Sequence, residues 1–287
     1  MPPSREETRA AAAMVVGAIA SVQCGAALAT TLFDEVGSGG AVFMRSLFGA
    51  LLLAAVAGRA ATALRRSQLR DVALFGATLA GMNLCFYASL EHLPLGIAVT
   101  LEFVGPLGVA VFGSRRRRDL LWALLAAAGI LLLSGGAGGE GIDPLGALLA
   151  LAAGAFWAAY ILLSARVGTH GPGLGGLAAA MAFSAVLVAP FGIAAGGGDL
   201  LDPAVLAVGL GVGLLSSAIP YALELEALRR LPNAVFGVLM SLEPGVGALV
   251  GFLALSQGLA PSEAVAIALV VAASAGALRS AATPASP

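Results

Sequence analysis

Two stretches of the sequence decide the fold: residues 94–106 read PLGIAVTLEFVGP, and residues 232–244 read PNAVFGVLMSLEP. Each begins and ends with proline, is mostly apolar and carries one ionisable residue, a glutamate. Burying a charge in a soluble core is costly unless the charge is paired. Within a membrane span, an ionisable residue is a candidate functional group by default. The two stretches therefore predict a membrane protein with polar groups at its centre.

The composition of the whole chain agrees with this prediction. Of the 287 residues, 59% are hydrophobic and 11% are charged, whereas a soluble domain carries about 25% charged residues. This much apolar surface excludes a soluble globular enzyme, and it also excludes a disordered or collagen-like chain. The net charge of −1 provides no basic field for nucleic acid. The two cysteines, Cys24 and Cys85, match no metal-binding spacing and no disulfide framework.

Apolar runs recur along the chain at the length that a membrane requires. A bilayer core about 30 Å thick takes roughly 20 apolar residues for each crossing helix. We therefore predict an all-α integral membrane protein with ten transmembrane helices. The predicted spans are 11–33, 39–58, 71–90, 94–113, 119–136, 144–165, 174–195, 203–226, 232–255 and 261–279.

The charged residues predict the orientation of these spans. All fifteen basic residues are arginines, and with both termini in the cytoplasm every one except Arg45 falls on the cytoplasmic side, as expected from the positive-inside rule. Beside Arg230 at that side, Glu224 and Glu226 are predicted to form interfacial ion pairs. The cytoplasmic arginines are Arg5, Arg9, Arg59, Arg65, Arg66, Arg70, Arg115 to Arg118, Arg166, Arg229, Arg230 and Arg279. The predicted outer loops carry the acids Asp34, Glu35, Glu91, Glu140, Asp143, Asp199, Asp202 and Glu263.

The two opening stretches belong to a longer internal repeat. The prolines that bound each stretch are twelve residues apart in both, and Tyr87 and Tyr221 precede them. We predict a first five-helix repeat over 11–136, a loop over 137–143 and a second repeat over 144–279. Because five is odd, the repeats are inverted relative to each other. Inverted repeats are typical of secondary transporters, whose substrate site lies between the repeats near the bilayer midplane.

Five residues within the spans are candidates for that site. Glu102 and Glu243 lie about 12 and 16 Å into their predicted helices, near the midplane, and Arg45 lies about two turns into the second span. Pro106 cannot donate to the carbonyl four residues back, and Pro244 likewise frees a carbonyl beside Glu243. We expect the glutamates to bind substrate or protons. Alternatively they are partnered polar links between helices, and Arg45 only neutralises one of them.

Four further side chains are expected to shape the pocket. Asn83 and Tyr87 are four residues apart and so share a helix face. Tyr221 holds the matching place in the second repeat, and Gln23 is a polar residue of the first span. Polar residues in membrane helices also serve interhelical packing, so each of these four has that alternative role.

Several short motifs are typical of a known family: Gly81-Met82-Asn83, Phe86-Tyr87, Pro94 to Val99, Leu101-Glu102-Phe103, Gly105-Pro106-Leu107 and Met240 to Pro244. Through these motifs the sequence resembles the EamA-type family of the drug/metabolite transporter superfamily over residues 12–279, and within it most nearly the exporters of threonine and homoserine. The resemblance implies a ten-helix carrier of the bacterial inner (plasma) membrane that exports small amino acids by proton exchange.

We therefore predict a transporter, not an enzyme, that exports a threonine- or homoserine-like amino acid by proton antiport. The main alternative is efflux of drugs or other small metabolites by the same fold; a lipid-modifying enzyme or a scaffold would leave the repeat unexplained. No cofactor and no metal are predicted. The predicted partners are the small-molecule substrate, protons and the lipid bilayer, without nucleic acid, and the sequence leaves a homodimer open.

Overall fold

The computed structural model of the chain describes residues 5–61, 68–112, 119–134, 142–167, 173–228, 230, 236 and 239–282. Arg65, Arg66, Arg115 to Arg118, Arg229, Pro232 and most of the predicted 137–143 loop lie outside the described residues. Within the described ranges the chain folds into helices that we number α1 to α12. They are α1 Arg5–Thr30, α2 Phe33–Ala57, α3 Leu69–Ser89, α4 Leu95–Glu102, α5 Val104–Phe112, α6 Asp119–Ser134, α7 Pro144–Val167, α8 Gly173–Gly196, α9 Pro203–Gly213, α10 Ile219–Leu228, α11 Glu243–Leu255 and α12 Pro261–Ala282.

Among the described residues, six helical stretches are long and apolar enough to cross a membrane. Three shorter apolar stretches, Leu95–Val109, Glu243–Leu255 and Pro261–Ala273, fall at three more of the predicted spans. The ten-span topology therefore stays a prediction, while several membrane-spanning helices are present. The six long stretches are Arg9–Thr30, Phe33–Ala57, Leu69–Ser89, Pro144–Leu163, Leu174–Leu201 and Pro203–Glu224.

The fourth predicted span, 94–113, is divided into two helices. Helix α4 ends at Glu102, Phe103 forms a turn, and α5 begins at Val104. Pro106 contributes to the break because it has no N–H to donate to the Glu102 carbonyl. A glutamate in the middle of an apolar stretch thus becomes the last residue of a short helix.

The eighth and ninth predicted spans are also interrupted. Between α9 and α10 the chain makes one π-helical turn, Leu214–Ala218. Before α11, Ser241 and Leu242 form a turn, and Glu243 with Pro244 begins the helix. Proline is well tolerated in a first helical turn, where its missing N–H has no intrahelical partner. π-Turns and broken membrane helices are found mostly where the backbone serves a function.

The main helix pairs join the first part of the chain, α1 to α6, to the second part, α7 to α12. Helix α2 packs on α8, α3 on α7, α6 on α12, α1 on α10, and α4 on α11. The largest apolar cluster includes the fully buried Tyr87 and gathers buried side chains of α1, α2, α3, α4, α7, α8, α9 and α12. The candidate polar residues consequently lie where the two parts of the chain meet.

Helix α7 covers the break between α4 and α5. A Cβ atom added to Gly154 would lie 2.5 Å from the carbonyl oxygen of Glu102, and one added to Gly105 would lie still closer to the carbonyl oxygen of Gly154. Only glycine allows this approach, because any larger residue would meet backbone atoms that cannot move aside. The backbone at Glu102 is therefore held from one side by α7.

Candidate functional site

Arg45 is the centre of the first group of polar contacts. Its side chain, 6% exposed, extends from α2 into the protein. Nη1 donates to the hydroxyl of Tyr87 at 3.4 Å, and Nη2 donates to the carbonyl oxygen of Ser216 at 3.2 Å. The guanidinium carbon lies 5.5 Å from the centre of the Tyr87 ring. The arginine is therefore fixed between α3 and the π-turn.

Sequence reasoning missed the Ser216 carbonyl, although the chain contains a signal for it. Pro220 follows Ser216 by four residues, so the N–H that would close an α-helical bond to this carbonyl does not exist. The π-turn leaves the oxygen available, and Arg45 uses it. Pro220 thus frees a carbonyl in the same way as Pro106 and Pro244.

Glu243 is the centre of the second group. It is 7% exposed and lies in the first turn of α11. Nε2 of Gln23, on α1, donates to its Oε1 at 3.4 Å. A helix N-terminus also favours a negative charge through its free N–H groups. Gln23 and Glu243 thus join α1 to α11 inside the membrane-embedded part of the chain.

Glu102, which is 8% exposed, is the last residue of α4. Within the described chain, its carboxylate makes no hydrogen bond and lies more than 4.0 Å from the Arg45 guanidinium; the same separation holds for Glu243. Any neutralisation of a glutamate by Arg45, the alternative given above, therefore acts without a direct ion pair, and that alternative stays a prediction. The guanidinium interacts electrostatically with both carboxylates over a longer distance. The three charges share one region without forming a closed ion pair.

The remaining predicted pocket residues fall into different surroundings. Asn83 is 2% exposed, and Tyr87 is fully buried beside the rings of Phe33 and Phe86. Tyr221 is half-buried in an apolar cluster that also contains Tyr160. Tyr87 contacts Arg45 directly, Tyr221 interacts with it electrostatically, and Asn83 lies in the protein interior.

Several of these side chains carry buried polar atoms that have no hydrogen-bond partner in the described residues. The donors are Nε of Arg45 and Nδ2 of Asn83; the acceptors are Oε1 of Gln23 and Oε2 of Glu243. Leaving such an atom unsatisfied costs about 1–3 kcal/mol. Both kinds of group are thus available to a polar ligand or to water.

The end of α10, which the charge distribution predicts to face the cytoplasm, carries one of the predicted ion pairs. Nε of Arg230 donates to Oε1 of Glu226 at 2.9 Å, four residues away, which confirms that part of the prediction. Glu224 forms no ion pair with a described residue, and it interacts electrostatically with Tyr160 and Tyr221.

An apolar groove between α2 and α8 has a volume of about 480 Å³. Its lining consists of alanine, leucine, valine and phenylalanine, for example Ala50, Leu51 and Ala182. These side chains offer no hydrogen bond to a charged solute, so the groove is not a site for a polar substrate.

Comparison with known proteins gives one consistent answer. The model of the EamA-like transporter family matches residues 144–279. The threonine/homoserine exporter RhtA of Salmonella typhimurium (strain SL1344) is 42% identical over 261 residues, which cover 90% of this chain and 88% of that protein. RhtA of Escherichia coli (strain K12) is 43% identical over 264 residues, with the same coverage. A crystal structure with a TM-score of 0.65 and 21% identity covers 95% of this chain and 99% of that one, which shows a shared fold.

Proposed function

The chain belongs to the EamA-like transporter family, and we propose that it exports a threonine- or homoserine-like amino acid across the bacterial inner membrane in exchange for protons. It is a multi-pass membrane protein. The names of the RhtA relatives support an amino-acid substrate. The observation that carries the proposal is the set of unsatisfied donors and acceptors buried at the meeting of the two parts of the chain.

These atoms complement the two charges of a free amino acid. Nε of Arg45 and Nδ2 of Asn83 are donors suited to the carboxylate, and arginine binds carboxylates in a geometry that lysine does not reproduce. Oε2 of Glu243 and Oε1 of Gln23 are acceptors suited to the ammonium group. Glu102 supplies a second negative charge in the same region. A neutral or purely cationic solute would leave one of the two sets unsatisfied.

Exchange for protons follows from the chemistry of a buried carboxylate. A proton and a substrate ammonium group compete for the same negative charge, so binding of one favours release of the other. Glu102 and Glu243 are the acids that we assign to this exchange. Tyr87 and Tyr221 would shape the pocket on either side of Arg45, to which both are electrostatically coupled.

Access to both sides of the membrane rests on the predicted topology. The arginine distribution predicts that both termini lie in the cytoplasm, and the predicted ten spans form two inverted repeats, 11–136 and 144–279. In such a carrier, exchange of conformation between the repeats opens the central site to one side and then to the other.

The proposal is tested by amino-acid release. The protein is expressed in a strain that lacks its own amino-acid exporters, the cells are loaded with dipeptides, and every released amino acid is measured. We expect faster release of threonine, homoserine or another small amino acid, which both Glu102→Gln and Glu243→Gln reduce sharply. Glu35→Gln is the control, because Glu35 is an exposed residue in the first turn of α2.

Two results would contradict the proposal. If no amino acid is released faster than from cells without the protein, the substrate class is wrong, and efflux of drugs or other metabolites is tested next with the same cells. If release is fast but both glutamine variants match the wild type at equal expression, the assigned site is wrong.

A further inference from the structure

Helix α4 is a short element with a break at each end. Its eight residues start after Pro94 and end at Glu102. It packs antiparallel on α11: Gly96 approaches Ala248, and Val99 approaches Gly247. Because the helix is rigid and Glu102 is its last residue, any slide of α4 along α11 moves the Glu102 carboxylate by the same amount.

One side chain from the second part of the chain bonds to the first turn of α4. Oε1 of Gln257 accepts a hydrogen bond from the backbone N–H of Leu95 at 2.9 Å. This N–H belongs to the first turn of the helix, where the backbone offers no intrahelical acceptor. Gln257 therefore caps α4 from another element, 162 residues away in sequence.

The backbone conformation at the end of α11 directs the Gln257 side chain toward the start of α4. Ser256 adopts the left-handed conformation, with φ of 53°, and ends the helix. The N–H of Gln257 then donates to the carbonyl of Gly251, six residues back, at 3.0 Å. A Cβ atom added to Gly251 would lie 2.6 Å from Oε1 of Gln257 and 3.6 Å from Cβ of Leu95. The absence of a side chain at Gly251 thus leaves the space that Gln257 occupies.

A second contact holds the turn that precedes α4. Nδ1 of His92 lies 3.6 Å from Oδ2 of Asp143, before the first residue of α7. The other carboxylate oxygen of Asp143 accepts from the N–H of Gly146 at 2.9 Å, and this backbone hydrogen bond lowers the pKa of Asp143. The start of α4 is thereby tied to the second part of the chain at two points, through His92 and through Leu95.

We infer that Gln257 is a positioning residue that fixes α4 along α11 and so sets the place of the Glu102 carboxylate in the substrate site. The inference rests on the proposed function, in which Glu102 binds the substrate ammonium group. Gln257 itself touches α4 and not the substrate, so its removal changes substrate affinity through a displaced Glu102.

Three variants and one control test the inference. Gln257→Leu removes the acceptor, and Gly251→Ala displaces it without changing residue 257. Gln257→Glu keeps an oxygen that can accept from Leu95, at a helix N-terminus that favours its charge. Gly245→Ala is the matched control on the same helix, because nothing lies within 4 Å of the added methyl group.

Two measurements are made on each protein. In the release assay, Gln257→Leu and Gly251→Ala raise the KM for substrate about three- to tenfold, the size expected for one hydrogen bond, while the maximal rate at equal expression stays within about twofold. Gln257→Glu and Gly245→Ala match the wild type. In lipid nanodiscs, hydrogen–deuterium exchange of the peptide that contains Leu95 is faster in the first two variants and unchanged in the other two.

Three other outcomes would contradict either the inference or the proposed function. Unchanged exchange in Gln257→Leu overturns the inference, as does faster exchange with an unchanged KM, which would make Gln257 a helix cap without influence on the site. If the wild type releases no amino acid, the proposed function fails, and the exchange comparison alone then decides whether Gln257 holds α4.

Discussion

The two buried glutamates look equivalent in the sequence and differ in the structure. Each lies in an apolar stretch bounded by prolines twelve residues apart. In the folded chain Glu102 ends α4, whereas Glu243 begins α11. The Glu243 carboxylate accepts a hydrogen bond from Gln23, while that of Glu102 has no hydrogen bond from a described residue.

The difference comes from where each proline falls relative to its glutamate. Pro106 follows Glu102 by four residues and breaks the helix after it. Pro244 follows Glu243 directly and starts a helix there. A carboxylate at a helix start is stabilised by free N–H groups, and one at a helix end faces free carbonyls. Glu243 is therefore held by its surroundings, and Glu102 is the more available of the two for a mobile ligand.

The largest expected difference appears when each glutamate becomes glutamine. Glu243→Gln keeps an oxygen that can accept from Gln23, so this hydrogen bond survives while the charge and the second acceptor are lost, and we expect about a tenfold loss of transport efficiency. Glu102→Gln leaves a buried amide without a partner among the described residues, and we expect about a hundredfold loss. Substrate-dependent release at equal expression measures both. Equal losses would show that the surroundings of the two carboxylates do not matter.

The next effect concerns the backbone around each glutamate. Gly154→Ala places a methyl group 2.5 Å from the Glu102 carbonyl oxygen, and such overpacking costs about 1–3 kcal/mol of stability. Gly245→Ala, two residues after Glu243, places its methyl group in open space and should change stability by less than about 0.5 kcal/mol. Thermal unfolding of the purified proteins in detergent compares them. A stable Gly154→Ala protein would contradict the close contact of α7 with the α4–α5 break.

A smaller effect tests whether Gln23 interacts with Glu243 and not with Glu102. Gln23→Leu removes the donor to Glu243, and we expect about a fivefold rise in KM, corresponding to about 1 kcal/mol. In a double-mutant cycle the change should be coupled to Glu243→Gln and additive with Glu102→Gln, because only contacting residues show interaction energies. If Gln23→Leu is instead coupled to Glu102→Gln, Gln23 acts on Glu102 and not on Glu243.

The smallest effect concerns the π-turn that holds Arg45. Pro220→Ala supplies an N–H that can bond to the Ser216 carbonyl and compete with Nη2 of Arg45. We expect about a twofold loss of transport efficiency, since Arg45 retains its contact with Tyr87. Arg45→Lys serves as the reference for complete loss of the two-point contact. A Pro220→Ala protein as impaired as Arg45→Lys would mean that the carbonyl of Ser216 is the main support of the arginine.

The sequence by itself determined the class of protein and the residues to examine. Apolar length and the distribution of arginines are read along the chain, and the bilayer acts on them locally. The same holds for the breaks at Pro106 and Pro220, because a proline removes one specific hydrogen bond wherever the helix lies. The cost of placing the charged groups of Glu102, Glu243 and Arg45 within membrane spans is therefore evident from the sequence alone.

Which of these groups meet depends on the packing of the helices. Arg45 and Ser216 are 171 residues apart in sequence, Gln23 and Glu243 are 220 apart, and Leu95 and Gln257 are 162 apart. Such contacts depend on how α1, α2, α4 and α11 pack, and that packing is set by many small van der Waals contacts and by glycines where backbones approach closely. Neither helix periodicity nor motif spacing carries this information, so the separation of Arg45 from both glutamates and the contact of Gln257 with α4 became visible only in the folded chain.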